Sequence, residues 1–140
     1  MGQLLEYRSI SAARSAISEI YNTAERHLAV AITRENDAPV AVIRQDHLKK
    51  ALQALCLLEP QVRFSSDGVV SMWIEGLPVT GQGENFDVAG VDLIASLRDY
   101  AKTWIEELRD YPNHKNRWDV VNLVLLSNDE EMHAFLFGDD

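Results

Sequence analysis

The chain has 140 residues, 46% of them hydrophobic, with a formal charge of −9 and a single cysteine, Cys56. That length fits one domain or two small ones with a real core, and one cysteine excludes an internal disulfide, which suits a reducing cytoplasm. No apolar run approaches the roughly 20 residues that cross a bilayer, and the start MGQLLEYRSI lacks the basic stretch and apolar run of a signal peptide, so a cytoplasmic protein with no membrane association is expected. The charge is uneven. Residues 1–60 carry seven Lys/Arg and seven Asp/Glu, whereas residues 61–140 carry six and fifteen, so the whole acidic surplus lies in the second half. Such asymmetry suits two partners of different sign, or simply an acidic surface that keeps a protein in solution.

In chain order, Ser11 is a candidate cap for a helix from Ala12 to about His27. Its apolar residues, Ala13, Ile17, Ile20, Tyr21, Ala24 and Leu28, recur at intervals of three and four. LAVAIT (28–33) and VAVIR (40–44) read as strands. The polar turn Arg34–Pro39 joins them as an antiparallel hairpin, with Asn36-Asp37 suited to left-handed backbone. Asp46 is a candidate cap for a helix from His47 to about Leu58, ended by Glu59-Pro60. This helix, hairpin, helix unit of residues 1–60 is small, and a dimer is a natural way to complete its core.

The second unit, residues 61–140, opens with a hairpin candidate, Val62–Phe64 and VVSMWI (69–74) around Ser66-Asp67-Gly68. LPVTGQGENF reads as a loop with a short strand at Val79-Thr80. A long amphipathic helix is expected from about Asp87 to Arg109. WDVVNLVLLS (118–127) is ambiguous between buried helix and buried strand, and the preceding residues 114–117 favour helix. Ser127 with Glu130 fits a capping box that opens a last short helix. The fold class expected is α+β.

Arg14, in the first turn of its helix, has a stem long enough to reach a phosphate or a guanine edge. Ser9, Ser11 and the free N–H groups of the helix start are donors suited to phosphate. Arg8 precedes the helix and Arg34 ends the first hairpin strand, so three arginines can converge at one edge of a unit that two-fold pairing would repeat. The plainer alternative is three solvated arginines, and nearby Glu35 and Asp37 work against an anion site. Carboxylates cluster at Glu106, Glu107 and Asp110 and again at Asp129–Glu131, but the first set suits the polar face of a helix and the second a helix start, rather than a two-metal nuclease centre. The four histidines have no metal-ligand spacing, Gly81-Gln82-Gly83 lacks a phosphate-loop continuation, and no nucleophile signature occurs. No cofactor, metal or catalysis is expected. Cys56, in an apolar run, reads as packing, and so do Trp73, Trp104 and Trp118. If residues 69–74 are a half-buried strand, either Met72 or Trp73 faces outward and is a candidate partner contact.

YRSISAARSAISEIYNTAERHLAVAITRENDAPVAVIRQDHLKKAL resembles the prevent-host-death (Phd/YefM) antitoxin family across roughly residues 5–58. The shared pattern is a short strand, a serine and then Ala-Arg opening a helix (Ser11 and Ala13-Arg14 here), an Ile-Thr-Arg strand end, a polar turn, an Ala-Val strand and a Leu-bearing helix. Asn36-Asp37 stands where that family often has a turn glycine. DGVVSMWIEGLPVTGQGENFDVAGVDLIASLRDYAKTWIEEL resembles the HicB-type antitoxin domain more loosely. The resemblance implies a bacterial type II antitoxin: a homodimer that represses its own operon at a palindromic operator and neutralises a toxin by direct binding. Arg14, with Ser11 just ahead of it, and Arg34 match positions implied to contact DNA. In that family the tail is commonly an extended segment, whereas residues 61–140 here have the apolar content to fold. Their acidic surface suits a basic toxin such as a ribonuclease. The alternative reading is a homodimeric protein-interaction module that never meets DNA, and a third is a metal-dependent nuclease.

Overall fold

The first helix starts two residues earlier than its sequence suggests. In the computed structural model, which describes residues 4–138, Ser9 is the cap: its backbone is extended and its hydroxyl accepts from the Ala12 N–H at 3.0 Å. Helix α1 (Ile10–Ser15) is broken from α2 (Ile17–Glu25) at Ala16, whose φ and ψ are −116° and 21°. The single helix expected over 12–27 is therefore two. Ser15 donates its hydroxyl to the Ser11 carbonyl one turn back, at 3.2 Å, a bond that bends helices. Arg14 consequently lies in the last turn of α1 rather than in the first turn of a longer helix. The expectation about the chain's opening residues lies partly outside the described range.

Strand β1 (Leu5–Tyr7) pairs parallel with β2 (Val30–Ile32), and β2 pairs antiparallel with β3 (Val40–Val42) in the order β1-β2-β3. In the turn between β2 and β3 the left-handed residue is Glu35, at φ 48°, rather than Asn36 or Asp37. The core of this unit gathers Ala13, Ile20 and Val30, with Leu5, Tyr7, Ile32 and Val42 packed against them. Only part of the expected helical stripe is covered: Ile20 and Ala24 are buried, whereas Ile17 and Tyr21 are 62% and 70% exposed. Helix α3 (Gln45–Leu55) begins two residues early, with the Arg44 carbonyl accepting its first N–H bonds. Asp46 is inside the first turn, and its carboxylate is held by Arg44 at 2.8 Å. Compactness divides the chain between Lys50 and Ala51, inside α3, whereas the sequence suggested residues 60 and 61.

The second unit is built on an antiparallel sheet ordered β4 (Pro60–Phe64), β5 (Val70–Ile74) and β6 (Thr80–Gly83). Strand β5 alternates, with Val70, Met72 and Ile74 buried and Ser71 and Trp73 on the other face. The Gly81-Gln82-Gly83 segment is strand, not loop. A Cβ on Gly81 would stand 2.4 Å from the Ala89 carbonyl and 2.5 Å from the Leu93 nitrogen, so glycine lets β6 lie directly against α4 (Phe86–Thr103). Asn85 caps α4, bonding the Val88 N–H at 2.9 Å. The helix ends in a π-helical turn over Trp104–Leu108, in which the Arg109 N–H bonds the Trp104 carbonyl. The Trp104 indole donates to the His114 carbonyl at 2.8 Å.

Residues 118–126 form helix α5, the ambiguity resolved in favour of helix, and α6 spans Asp129–Phe137. The capping box exists one residue later than expected: Asn128 bonds the Glu131 N–H, and the Glu131 side chain accepts from the Asn128 N–H. Ser127 is buried at the end of α5, and its hydroxyl makes no bond. Leu93, Leu97, Leu123 and Met132 are among the most deeply buried side chains of this unit. Trp73 and Trp104 are half-buried, and Trp118, in the first turn of α5, is 49% exposed, so it is not the core residue its pattern suggested. The fold class is α+β.

Candidate functional site

Parallel pairing of β1 and β2 brings two chain segments to one end of the first sheet. Tyr7 pairs with Ile32, and the Thr33 N–H bonds the Tyr7 carbonyl at 2.9 Å. Arg8 and Ser9 leave that end on one segment, and Thr33 and Arg34 leave it on the other. Ser9 then turns the chain into α1, whose first N–H groups are left without helical partners, as at any helix start.

The arginines at this end differ in their engagement. Arg8 is 89% exposed in its side chain and stands 3.6 Å from Glu6. Arg34 is paired with Asp37 at 2.7 Å, with side chains 67% and 58% exposed. That pair is worth little in water, but any anion binding Arg34 competes with it. Arg14 is exposed and forms no ion pair among the described residues. It lies about 6 Å along the helix axis from Ile10, at 1.5 Å per residue. Ser11 is exposed, its carbonyl taken by Ser15.

A second polar group joins α2, the following turn and α3, and sequence spacing gave no hint of it. His27, in left-handed backbone at φ 77°, places Nδ1 2.7 Å from Nε2 of His47. Arg44 bonds the Glu25 carbonyl at 3.3 Å and the Asp46 carboxylate at 2.8 Å. Burial works to raise the pKa of Asp46, but the bond to and charge of Arg44, together with His47, outweigh it and the net shift is downward. The two histidines are 20 residues apart, so only the tertiary fold reveals the pair.

In the second unit Met72 is 1% exposed, on the sheet face that α4 covers, and so is unavailable to a partner. Trp73 lies on the opposite face, its indole donating to Glu75 at 3.0 Å. Arg98 ties three elements together: it donates to the Val124 and Ser127 carbonyls, both at 3.0 Å, and pairs with Asp129. Asp129 and Glu131 are thus occupied by an ion pair and a cap. Glu106, Glu107 and Asp110 are exposed on and after the π turn. Among the described residues no group of three or more His, Cys, Asp or Glu can hold a metal, and no helix is long and apolar enough to cross a membrane. Burial and then the Asp119 carboxylate push the Cys56 thiol up to about 11, which leaves it un-ionised at neutral pH.

A family model described as an antitoxin of toxin–antitoxin, RelE/RelB, TA system, and named PHD-like, matches residues 2–137. No curated protein matches the sequence. A crystal structure described as the antitoxin part of a toxin/antitoxin system from Syntrophomonas wolfei subsp. wolfei superposes with a TM-score of 0.79. It shares 22% identity, with 97% of each chain covered, a likeness of fold.

Proposed function

Because the chain belongs to the PHD-like family of RelE/RelB toxin–antitoxin antitoxins, we propose that it neutralises its cognate toxin by direct binding and represses its own operon by binding operator DNA. No catalytic step is needed for either role. The observation that carries the DNA half is the parallel β1–β2 pairing, which gathers Arg8, Ser9 and Arg34 at one end of a sheet, beside the start of α1. Helix-start N–H groups and a serine hydroxyl suit phosphate, while Arg14, with no ion pair of its own, is the arginine best suited to add a further contact. Phd/YefM-type organisation of residues 5–58 belongs to the same proposal.

A homodimer fits the uncovered apolar side chains of the first unit. Ile17, Tyr21, Val40 and Ile43 are 62%, 70%, 60% and 42% exposed, and single surface apolars are ordinary whereas a group of them on so small a unit asks for a partner. A two-fold pair would present the arginine-bearing ends twice, as a palindrome requires. Toxin binding is assigned to the second unit, whose acidic surplus suits a basic protein such as a ribonuclease and would speed its capture. Trp73 is the contact the sequence pointed to that remains at the surface.

The ion pairs Arg8–Glu6 and Arg34–Asp37 favour the second reading, a homodimeric interaction module that does not meet DNA. Two assays separate them. Co-expression with the toxin encoded by the adjacent gene should restore growth, and fluorescence anisotropy on the promoter fragment should give a Kd that weakens steeply with salt through counterion release. Rescue without salt-dependent DNA binding leaves the interaction module, and absence of rescue removes the neutralisation role.

A further inference from the structure

The outer side of α4 carries an apolar strip that the fold leaves open. Val91 is 65% exposed, and it stands beside Ile94 and Ala95 along a cavity of about 330 Å³ between α4 and the start of α6. Across the cavity stand Glu130 and His133. The groove is held in shape from both ends. Arg98 fastens α4 to the α5–α6 corner by its bonds to Val124, Ser127 and Asp129. At the other end the Phe137 ring packs over Gly90, its edge 3.1 Å from where a Cβ would stand, and meets Phe86 edge-on with ring centres 5.2 Å apart.

Charge says what fits there. One helical turn before Val91, on the same helix face, is Asp87, and Glu130 stands across the cavity. Neither carboxylate forms an ion pair among the described residues. The one arginine of the groove spends its charge on Asp129 and two carbonyls. An aliphatic side chain with lysines or arginines around it therefore meets an apolar floor and an unpaired acidic rim. Val91 to Arg98 spans about 10 Å along α4, at 1.5 Å per residue, which matches two turns of a docked helix.

We propose that the α4–α6 groove is the docking site for a basic amphipathic helix of the cognate toxin, which inserts an aliphatic side chain over Val91, Ile94 and Ala95. This rests on the neutralisation reading above and moves its contact from Trp73, on the sheet's outer face, to the helical side of the unit. Helix-in-groove binding of this kind is anchored by one or two apolar side chains at helical spacing.

The test uses the full chain and a fluorescein-labelled synthetic helix of 14 residues, leucine at helical spacing and lysine elsewhere, read by anisotropy at physiological salt. The wild type should bind it saturably. Val91→Glu adds a negative charge yet should weaken binding more than tenfold, because the apolar floor is lost, and its exposed position leaves the melting temperature unchanged. Glu130→Lys should weaken binding severalfold, and Trp73→Ala should not alter it. A glutamate-for-lysine version of the peptide should not bind. The proposal is overturned if the wild type fails to bind, if Val91→Glu and Glu130→Lys bind as the wild type does, or if Trp73→Ala alone abolishes binding. Growth rescue by the wild type reports separately on neutralisation: intact rescue by both groove variants refutes the groove alone, whereas no rescue by the wild type refutes neutralisation itself.

Discussion

Ser9 has two duties in this account, and two substitutions separate them. As the cap of α1 its hydroxyl holds the Ala12 N–H at 3.0 Å, and α1 has only six residues, too few to persist without tertiary packing and a cap. Ser9→Ala removes that bond, at a cost of about 1 kcal/mol. For a unit this small the cost lowers Tm by roughly 8 °C, the upper end of the range for small domains. Ser9→Asp keeps a cap acceptor and places a negative charge at a helix start, where it is favourable, so stability should match or exceed the wild type. The same carboxylate sits where a DNA phosphate is proposed to bind and should weaken promoter binding at least tenfold, about 1.4 kcal/mol. The tryptophans all lie beyond residue 72, so unfolding of the first unit is best followed by hydrogen exchange of the amides of its central strand β2, alongside anisotropy on the promoter fragment. A Ser9→Asp protein that is stable and binds DNA like the wild type would refute a phosphate at the α1 start.

Three further outcomes follow from other contacts. Asp37→Asn should raise promoter affinity severalfold, since it frees Arg34 from the 2.7 Å pair, and an unchanged or lower affinity in the same titration would show that Arg34 makes no DNA contact. Gly81→Ala should cost about 3 kcal/mol, the upper end for overpacking, because two of the clashing atoms are backbone at 2.4 and 2.5 Å; a urea midpoint near the wild-type value would contradict that packing. The Cys56 thiol, ordinarily titrating at 9.0, is raised to about 11, so its contribution to stability is whole below about pH 9 and is lost as pH rises towards 11. Cys56→Ser should flatten that alkaline decline in denaturation curves, and rapid thiol labelling of the native wild type at pH 8 would argue against the burial.

How far the sequence foretold this arrangement depended on whether the deciding interaction was local. The β2–β3 hairpin, the β4–β5 hairpin and helix α4 were legible because alternation and helical spacing report directly on which face is buried. Helix α1 was misplaced because Ser9 and Ser11 are equally good caps by type, and only the extended backbone of Ser9, with its bond to the Ala12 N–H, decides between them. The same ambiguity moved the last capping box, since both Ser127 with Glu130 and Asn128 with Glu131 fit the pattern. Gly81-Gln82-Gly83 looked like a loop because nothing in the segment announces that α4 will lie on it. Residues 118–126 were uncertain because apolar residues also stand on the exposed face of the helix, Trp118 and Leu125 at 49% and 55% exposed, and leave little periodicity to read. Of the site residues, Arg8, Ser9 and Arg34 were brought to one sheet end by a parallel pairing that hydrophobic pattern alone does not encode. The register of β5 turns Met72 inward and Trp73 to the other face, and the His27–His47 pair was invisible at a separation of 20 residues.

The central claim is that DNA binding and toxin neutralisation reside on different units of the chain, and Arg14→Ala tests it most directly. Arg14 is exposed and forms no ion pair among the described residues, so its removal should leave the fold intact. Promoter affinity by anisotropy and growth rescue against the adjacent-gene toxin are measured with the same variant. The account predicts a loss of more than tenfold in DNA affinity with full rescue, and it is contradicted by unchanged DNA affinity or by DNA binding and rescue lost together.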